Sequence, residues 1–278
     1  MFKLSTHTFN LGSGVECEIM ELTGEQQDIL TKQDGCTHQQ KLSAMLKSIL
    51  VRVGTVTDIT DDFIDELLGT DKRQMLLEAR QFSLGFQKSF EMPFEYEDKD
   101  GHTITETVEI HLPDGKFPIK PLQVETMEEV EGGEPKKVLK PATYKEYSDI
   151  VREHETVLPK TGLKVRWKLL SSKGETFAAN KKKKERSSNT LIEMRFPTYE
   201  DKKTDGKTSV WVSLSNKLNK LPILDIEHLR KHIYSIEGEA NSDITFEHPE
   251  AELKSAQEKM VKMDVLGTVA FFFPSGRI

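Results

Sequence analysis

The hydrophobic period of this chain changes at Gly85: apolar residues recur at helical spacing before it and alternate after it. A chain that carries the two periods in separate blocks folds as α+β, with helices and antiparallel strands segregated along the sequence.

The helical block supplies its own punctuation. In "LTGEQQDIL", Thr23 with Gln26 three residues on is a capping-box pattern. In "HQQKLSAMLKSILVRVG", Leu42, Met45, Leu46, Ile49 and Val53 fall on one helical stripe that Gly54 stops. "TDDFIDELLG" and "TDKRQMLLEARQFSLG" follow, with Thr60 and Thr70 as N-caps and Gly69 and Gly85 as C-terminal stops. Residues 23–85 are therefore expected as a group of helices. Ahead of them, "LGSGVECEIM" gives a glycine turn followed by Val15, Cys17 and Ile19 alternating with Glu16 and Glu18, the signature of a hairpin with one buried face.

Beyond Gly85, Phe90, Met92, Phe94 and Tyr96 alternate with polar residues and Pro93. Ile104, Val108, Ile110 and Leu112 answer across "DKDG", which predicts a hairpin with a type I′ turn at Asp100-Gly101 and an edge strand at Pro93. "PLQVETMEEVEGGEPKKVLKP" reads as an acidic surface loop. Between 160 and 215 there are alternating runs at Leu163–Leu169, Ile192–Phe196 and Val210–Leu214, a β-rich section with long connections. "LPILDIEHLRKHIYSIEGEA" is an amphipathic helix with Ile226, Leu229, Ile233 and Ile236 as its stripe. A terminal strand is expected to follow, with Val261, Met263, Val265, Val269, Phe271 and Phe273 on one face and a bulge at Gly267. Only Phe272 points the other way, so Phe272→Asp is expected to weaken partner binding with less harm to folding than Phe271→Asp. The expected organisation is 1–87, a hairpin and helical module; 88–220, an antiparallel β-rich section; and 221–278, a helix and aromatic strand packing back on the rest.

Composition narrows the function classes. A net charge of −7 in 278 residues argues against a sequence-independent nucleic-acid binder. No apolar run approaches bilayer length, the start lacks the apolar core of a signal peptide, and two cysteines, Cys17 and Cys36, suit a reducing compartment.

Each stretch that invites chemistry has a simpler explanation. "DKKTDGKT" (201–208) lacks the first glycine of a P-loop and precedes a strand pattern, so it reads as a polar hairpin turn. His228 and His232 share a helix face, but without the HExxH order or a third ligand they read as a solvated face. "YEDKDGHT" has Tyr96 and Thr107 where a calcium loop needs acids, and reads as a turn. "KKKKER" (181–186) has no interleaved aromatics and reads as a solvated loop. No nucleophile–base context stands out. The sequence reading is a non-enzymatic protein with no cofactor and no metal.

Four stretches, in order, resemble the baseplate hub assembly chaperones of contractile-tailed, T-even-type bacteriophages: "GSGVECEIMELTGEQQDILTK", "LLGTDKRQMLLEARQFSLG", "LDIEHLRKHIYSIEG" and "FFFPSGRI". The resemblance covers 12–97 and 221–278. It departs from the family pattern at "DITFEHPEAEL", which lacks a Cys-x-x-Cys, so no structural zinc is implied there; 121–215 is also longer than the family norm. The resemblance implies binding of a hub or tail component in the host cytoplasm during assembly, with retention in the virion baseplate left open. The candidate partner contacts are Phe271, Phe272 and Phe273, with Phe94 and Tyr96 on an edge strand. The same composition suits a permanent baseplate or tail component or, through 181–186, a nucleic-acid-associated module.

Overall fold

A computed structural model describes residues 4–85, 89–98, 100–112, 116–129, 135–180, 189–202, 209–250 and 258–273. β1 (Thr6–Asn10) and β2 (Glu16–Met20) form the expected hairpin, with Val15, Cys17 and Ile19 fully buried. Gly14 is required at the turn: its φ of 91° is left-handed, and a Cβ there would lie 2.7 Å from Thr143 Cα. α1 (Gly24–Thr31) starts on the expected capping box, and α2 (His38–Ile49) starts on a second one at Thr37 and Gln40. The stripe of α2 ends at Ile49, however. Val53 belongs to β3 (Leu50–Val53), which pairs antiparallel with β2. The open edge of β2 offered the segment "LVRV" a ladder, and its branched side chains suit a strand.

α3 (Asp61–Glu66) is capped by Thr60, as expected. α4 (Gly69–Leu84) begins at Gly69, so Gly69 is a first residue and not a stop; Thr70 sits inside the first turn, with its Oγ1 donating to Gly238 O at 2.9 Å. A Cβ on Gly69 would come within 3.0 Å of Glu175 Oε1, which explains a glycine at a helix start. Gly85 ends α4 at φ 86°.

β4 (Ser89–Glu97) and β5 (Thr103–His111) form the predicted ribbon, which pairs with no further strand among the described residues. Its turn is not type I′. Asp98 N donates to His102 O and Gly101 N to Asp98 O, the bonding of a three-residue connection with glycine at positive φ. β6 (Ile119–Lys120) is followed by the stretch expected as an acidic loop, which itself contains β7 (Gln123–Glu128) and β8 (Lys136–Pro141). β7 and β8 pair antiparallel and carry cross-strand ion pairs Lys137–Glu125 (2.5 Å) and Lys140–Glu128 (2.6 Å). Such a ribbon is largely exposed on both faces, so it leaves no alternating apolar signal to read.

β9 (Glu153–Val157) and β10 (Lys164–Lys168) lead into α5 (Ser172–Asn180) and α6 (Thr190–Glu193); β11 (Thr198–Lys202) and β12 (Ser209–Ser213) complete an antiparallel sheet in the order β12-β11-β10-β9. α6 replaces the strand expected at 192–196, and Phe196 breaks the chain direction at φ 47°. The runs at 163–169 and 210–214 are strands as read. α7 (Ile223–Ile236) buries Ile226, Leu229, Ile233 and Ile236, the expected stripe. β13 (Glu239–Ala240) pairs with β6, and β14 (Asp243–Glu247) pairs with β15 (Met260–Asp264).

The terminal strand stops at Asp264. A 3-10 turn at 265–267 and a single helical turn, α8 (Val269–Phe272), follow, with Phe271 N donating to Thr268 Oγ1 at 3.2 Å. On a helical turn adjacent side chains need not face opposite ways, and Phe271 and Phe272 are both fully buried, with Phe273 half-buried. Phe271 packs edge-on against Phe90, Phe117 and Phe272 at centroid distances of 5.7, 5.7 and 5.1 Å. Phe272 is therefore core, which overturns its expected role as an outward contact. We expect Phe272→Ala to cost about 3–5 kcal/mol of unfolding free energy, as much as Phe271→Ala, measured by urea denaturation of both variants beside wild type.

Candidate functional site

The β4–β5 ribbon has one face that is apolar except for Glu106, and the burial of that face fades along its length. At the root, Phe90, Met92 and Ile110 are buried; toward the tip, Phe94, Tyr96 and Ile104 are only half-covered. The strand period dictates the shared face, and the register puts Phe94 opposite Glu106 and Met92 opposite Val108. The half-covered end meets the β14–β15 ribbon. Phe94 stacks edge-on against Phe246 (5.0 Å) and His248 (5.7 Å), and Tyr96 against His248 (4.8 Å). Tyr96 donates its hydroxyl to Glu106 at 2.9 Å; desolvation, and then this carboxylate, push the phenol up to about 12.

Beside this aromatic cluster an open groove of about 500 Å³ runs between β5 and β14. Val108, Phe246 and Met260 give it apolar lining, and Glu106, Glu109 and Glu247 supply carboxylates. Val108 and Phe246 are nearly buried, whereas Met260 is 54% exposed. An apolar floor with an acidic rim can hold an extended polypeptide by its side chains while the free protein stays soluble.

Of the five predicted contacts, Phe94 and Tyr96 flank this groove. Phe271 and Phe272 lie beneath the ribbon's root and are not accessible, and Phe273 packs half-buried against the core. Sequence reasoning missed Phe246, His248 and Met260. The alternation of Ile244, Phe246 and His248 in "DITFEHPE" was the available signal for Phe246 and His248.

The histidines of α7 do not form a solvated face. Trp167 Nε1 donates to His232 Nδ1 at 3.1 Å, and His228 Nε2 lies 3.1 Å from Thr156 Oγ1, so both rings dock α7 on the β9–β10 strands. Burial lowers the His232 pKa, and the Trp167 bond requires its Nδ1 to be unprotonated. At the β4–β5 tip, ligand atoms of Asp98, Asp100 and His102 come within 4.8 Å of one another. Asp98 Oδ1 already accepts from Asp100 N (2.8 Å) and His102 N (2.9 Å), which lowers the Asp98 pKa; the group reads as turn chemistry. The basic run at 181–186 and most of the 201–208 turn lie outside the described residues.

A second cavity, of about 240 Å³, opens where α4, α5, α7 and β13 meet. Its cations are already engaged. Arg73 pairs with Asp264 (3.2 Å) and Glu175 (3.5 Å), and Arg195 Nε donates to Glu237 Oε1 at 2.8 Å. Behind the cavity and outside its lining, Lys72 bonds Ser172 Oγ (2.8 Å) and Ser43 Oγ (2.9 Å), with its pKa lowered by burial. A lysine of lowered pKa beside a serine is nucleophile–base chemistry in an open site. Here Lys72 and Ser172 are 2% and 1% exposed and line neither opening, so the pair ties α2, α4 and α5 together.

Next to it, Asp71 is fully buried, with Oδ1 accepting from Ser13 N at 3.3 Å; neither Oδ2 nor Ser13 Oγ makes a well-formed hydrogen bond. Burial pushes this carboxyl up to about 6 against the opposing pull of Ser13 and Tyr147.

No family model, no curated protein and no solved structure matches the chain. No helix among the described residues is long and apolar enough to cross a membrane.

Two outcomes follow from these geometries. A carboxyl whose pKa is raised on folding stabilises the protein below its unfolded value and loses that contribution as pH rises through about 6. Asp71→Asn should therefore remove a stability difference between pH 4 and pH 7, read as the pH dependence of the urea midpoint of wild type minus variant. Glu237→Ala leaves Arg195 charged, buried and unpaired, and should cost about 3–5 kcal/mol by the same measurement.

Proposed function

We propose that this protein is a non-enzymatic assembly chaperone that binds a bacteriophage baseplate hub or tail component through the groove between β5 and β14. The observation that carries the binding role is the groove itself, in which exposed Met260 and the margins of the nearly buried Val108 and Phe246 lie between Glu106, Glu109 and Glu247. The phage assignment rests on the resemblance of 12–97 and 221–278. The client surface that fits is apolar and edged with lysine or arginine, because carboxylates at the rim favour opposite charge and disfavour a nucleic-acid backbone. Without a nucleotide motor, such a chaperone acts by mass action: it lowers the free concentration of an aggregation-prone component until the component is handed over.

The test is co-expression with each hub and tail component, retention on the tagged protein, and measured affinity for whichever is retained. Met260→Asp adds a charge at an exposed floor position and should weaken binding at least about 10-fold, equivalent to ~1.4 kcal/mol, without shifting the melting temperature. Phe94→Asp should also weaken binding at the flank, but with a lowered melting temperature, because Phe94 packs against Phe246 and His248. Retention of no hub or tail component, or affinity unchanged in both variants, removes the proposal. Recovery of the protein at fixed stoichiometry in purified particles would instead make it a permanent baseplate or tail part.

A further inference from the structure

Natural sheets protect their edges with charge, proline or a bulge, and one edge of the main sheet has none of these. The sheet β12-β11-β10-β9 ends at β9 on one side, where Glu153, His154 and Glu155 stand. It ends on the other at β12, whose five residues are Ser209, Val210, Trp211, Val212 and Ser213. Val210 and Val212 are 42% and 39% exposed. They share the sheet face of Tyr199, which is buried, so the covered face of the sheet runs out into bare valine at its margin.

The direction of the backbone groups follows from the ladder. Leu214 N donates to Pro197 O at 2.8 Å, and the register pairs Val212 with Tyr199 and Val210 with Asp201. Hydrogen-bonded positions alternate along an antiparallel strand, so Val210 and Val212 point their N–H and C=O groups at β11. Ser209, Trp211 and Ser213 point theirs outward. Among the described residues, nothing pairs with that edge.

The strand also reads the same in both directions, Ser-Val-Trp-Val-Ser. The geometry points to a second copy of this chain as the occupant: two β12 strands paired antiparallel about a two-fold axis at Trp211, which joins the sheets of both copies into one. In that register Ser209 faces the second copy's Ser213 and Trp211 faces its counterpart. These are the positions with outward groups, so each pair exchanges two hydrogen bonds. Val210 faces the second copy's Val212 on the covered side, and the four valines close into one apolar strip. A register one residue off would aim outward groups at groups already bonded to β11. The five residues of β12 carry no charge, the Arg166 and Lys164 cations over the Trp211 ring are each ion-paired with Glu155, and an isologous contact of this kind closes at two copies. The seam is short beside the ~1,600 Å² that standard interfaces bury, so the dimer is concentration-dependent.

The experiment is sedimentation velocity over about a 100-fold range of protein concentration. Wild type should move from monomer to dimer. Val210→Lys with Val212→Lys in one chain sets like charges across both valine pairs and should weaken self-association at least about 10-fold; Val210→Glu with Val212→Glu should do likewise. Mixing the two variants should restore a dimer containing one of each. Both sites are exposed, so the unfolding midpoints should match wild type and show that folding is intact. A wild type that stays monomeric throughout overturns the proposal. So does a dimer that survives in the lysine variant, or a mixture that fails to dimerise while both variants are folded.

Discussion

The structure depends on a polar helix being almost wholly inside the protein. Asp71, Lys72, Gln74, Arg80 and Gln81 of α4 are all buried, alongside Met75, Leu76, Leu77 and Ala79. Buried polar groups favour pairing, and Asp71, Lys72, Gln74 and Arg80 each tie a neighbouring segment to the helix. Gln74 accepts from Gly12 N at 2.7 Å and donates to Asn10 O at 3.0 Å, and Asp71 takes Ser13 N; together they hold the β1–β2 turn. Lys72 reaches α2 and α5. Arg73 reaches Ser242 and Asp264 at the ends of the β14–β15 ribbon, and Ser83 Oγ accepts from Leu22 N at 2.7 Å. Arg80 donates to Phe271 O at 3.2 Å, with its guanidinium 4.4 Å from the Phe90 ring centroid; burial lowers its pKa to about 10. The helix works as a post to which the strands and the terminal turn are separately tied.

That arrangement bears on the groove. A two-stranded ribbon is marginal by itself and needs something to pack on. The β4–β5 ribbon roots its Phe90 on Arg80 and Phe271, and the β14–β15 ribbon is held through Ser242 and Asp264 by Arg73. Both walls of the groove are thus anchored to α4 at points seven residues apart on one helix. Phe271 lies beneath the β4–β5 ribbon, as the footing of one wall of the groove.

Legibility in the sequence followed the strength of the local pattern. The capping boxes at Thr23, the cap at Thr60, the stripe of α7 and the β4–β5 alternation are each set by neighbours a few residues apart, and each appears as read. The β7–β8 ribbon was not legible, because a strand polar on both faces has no period; nor was β3, whose apolar residues continued the stripe of α2. Half of the candidate site was visible in Phe94 and Tyr96. The other half comes from β14 and β15, more than a hundred residues away, and no local spacing announces that meeting.

By itself the sequence determined the α+β class, the capped starts of α1 and α3, the stripe of α7 and most of the apolar face of the β4–β5 ribbon, because caps, turns and side-chain period act over three or four residues. Only the tertiary structure decided that Phe272 is core, that His228 and His232 dock a helix, and that two ribbons enclose a groove. Those outcomes depend on which distant surfaces become buried together, and burial is a property of the assembled chain and not of any stretch of it.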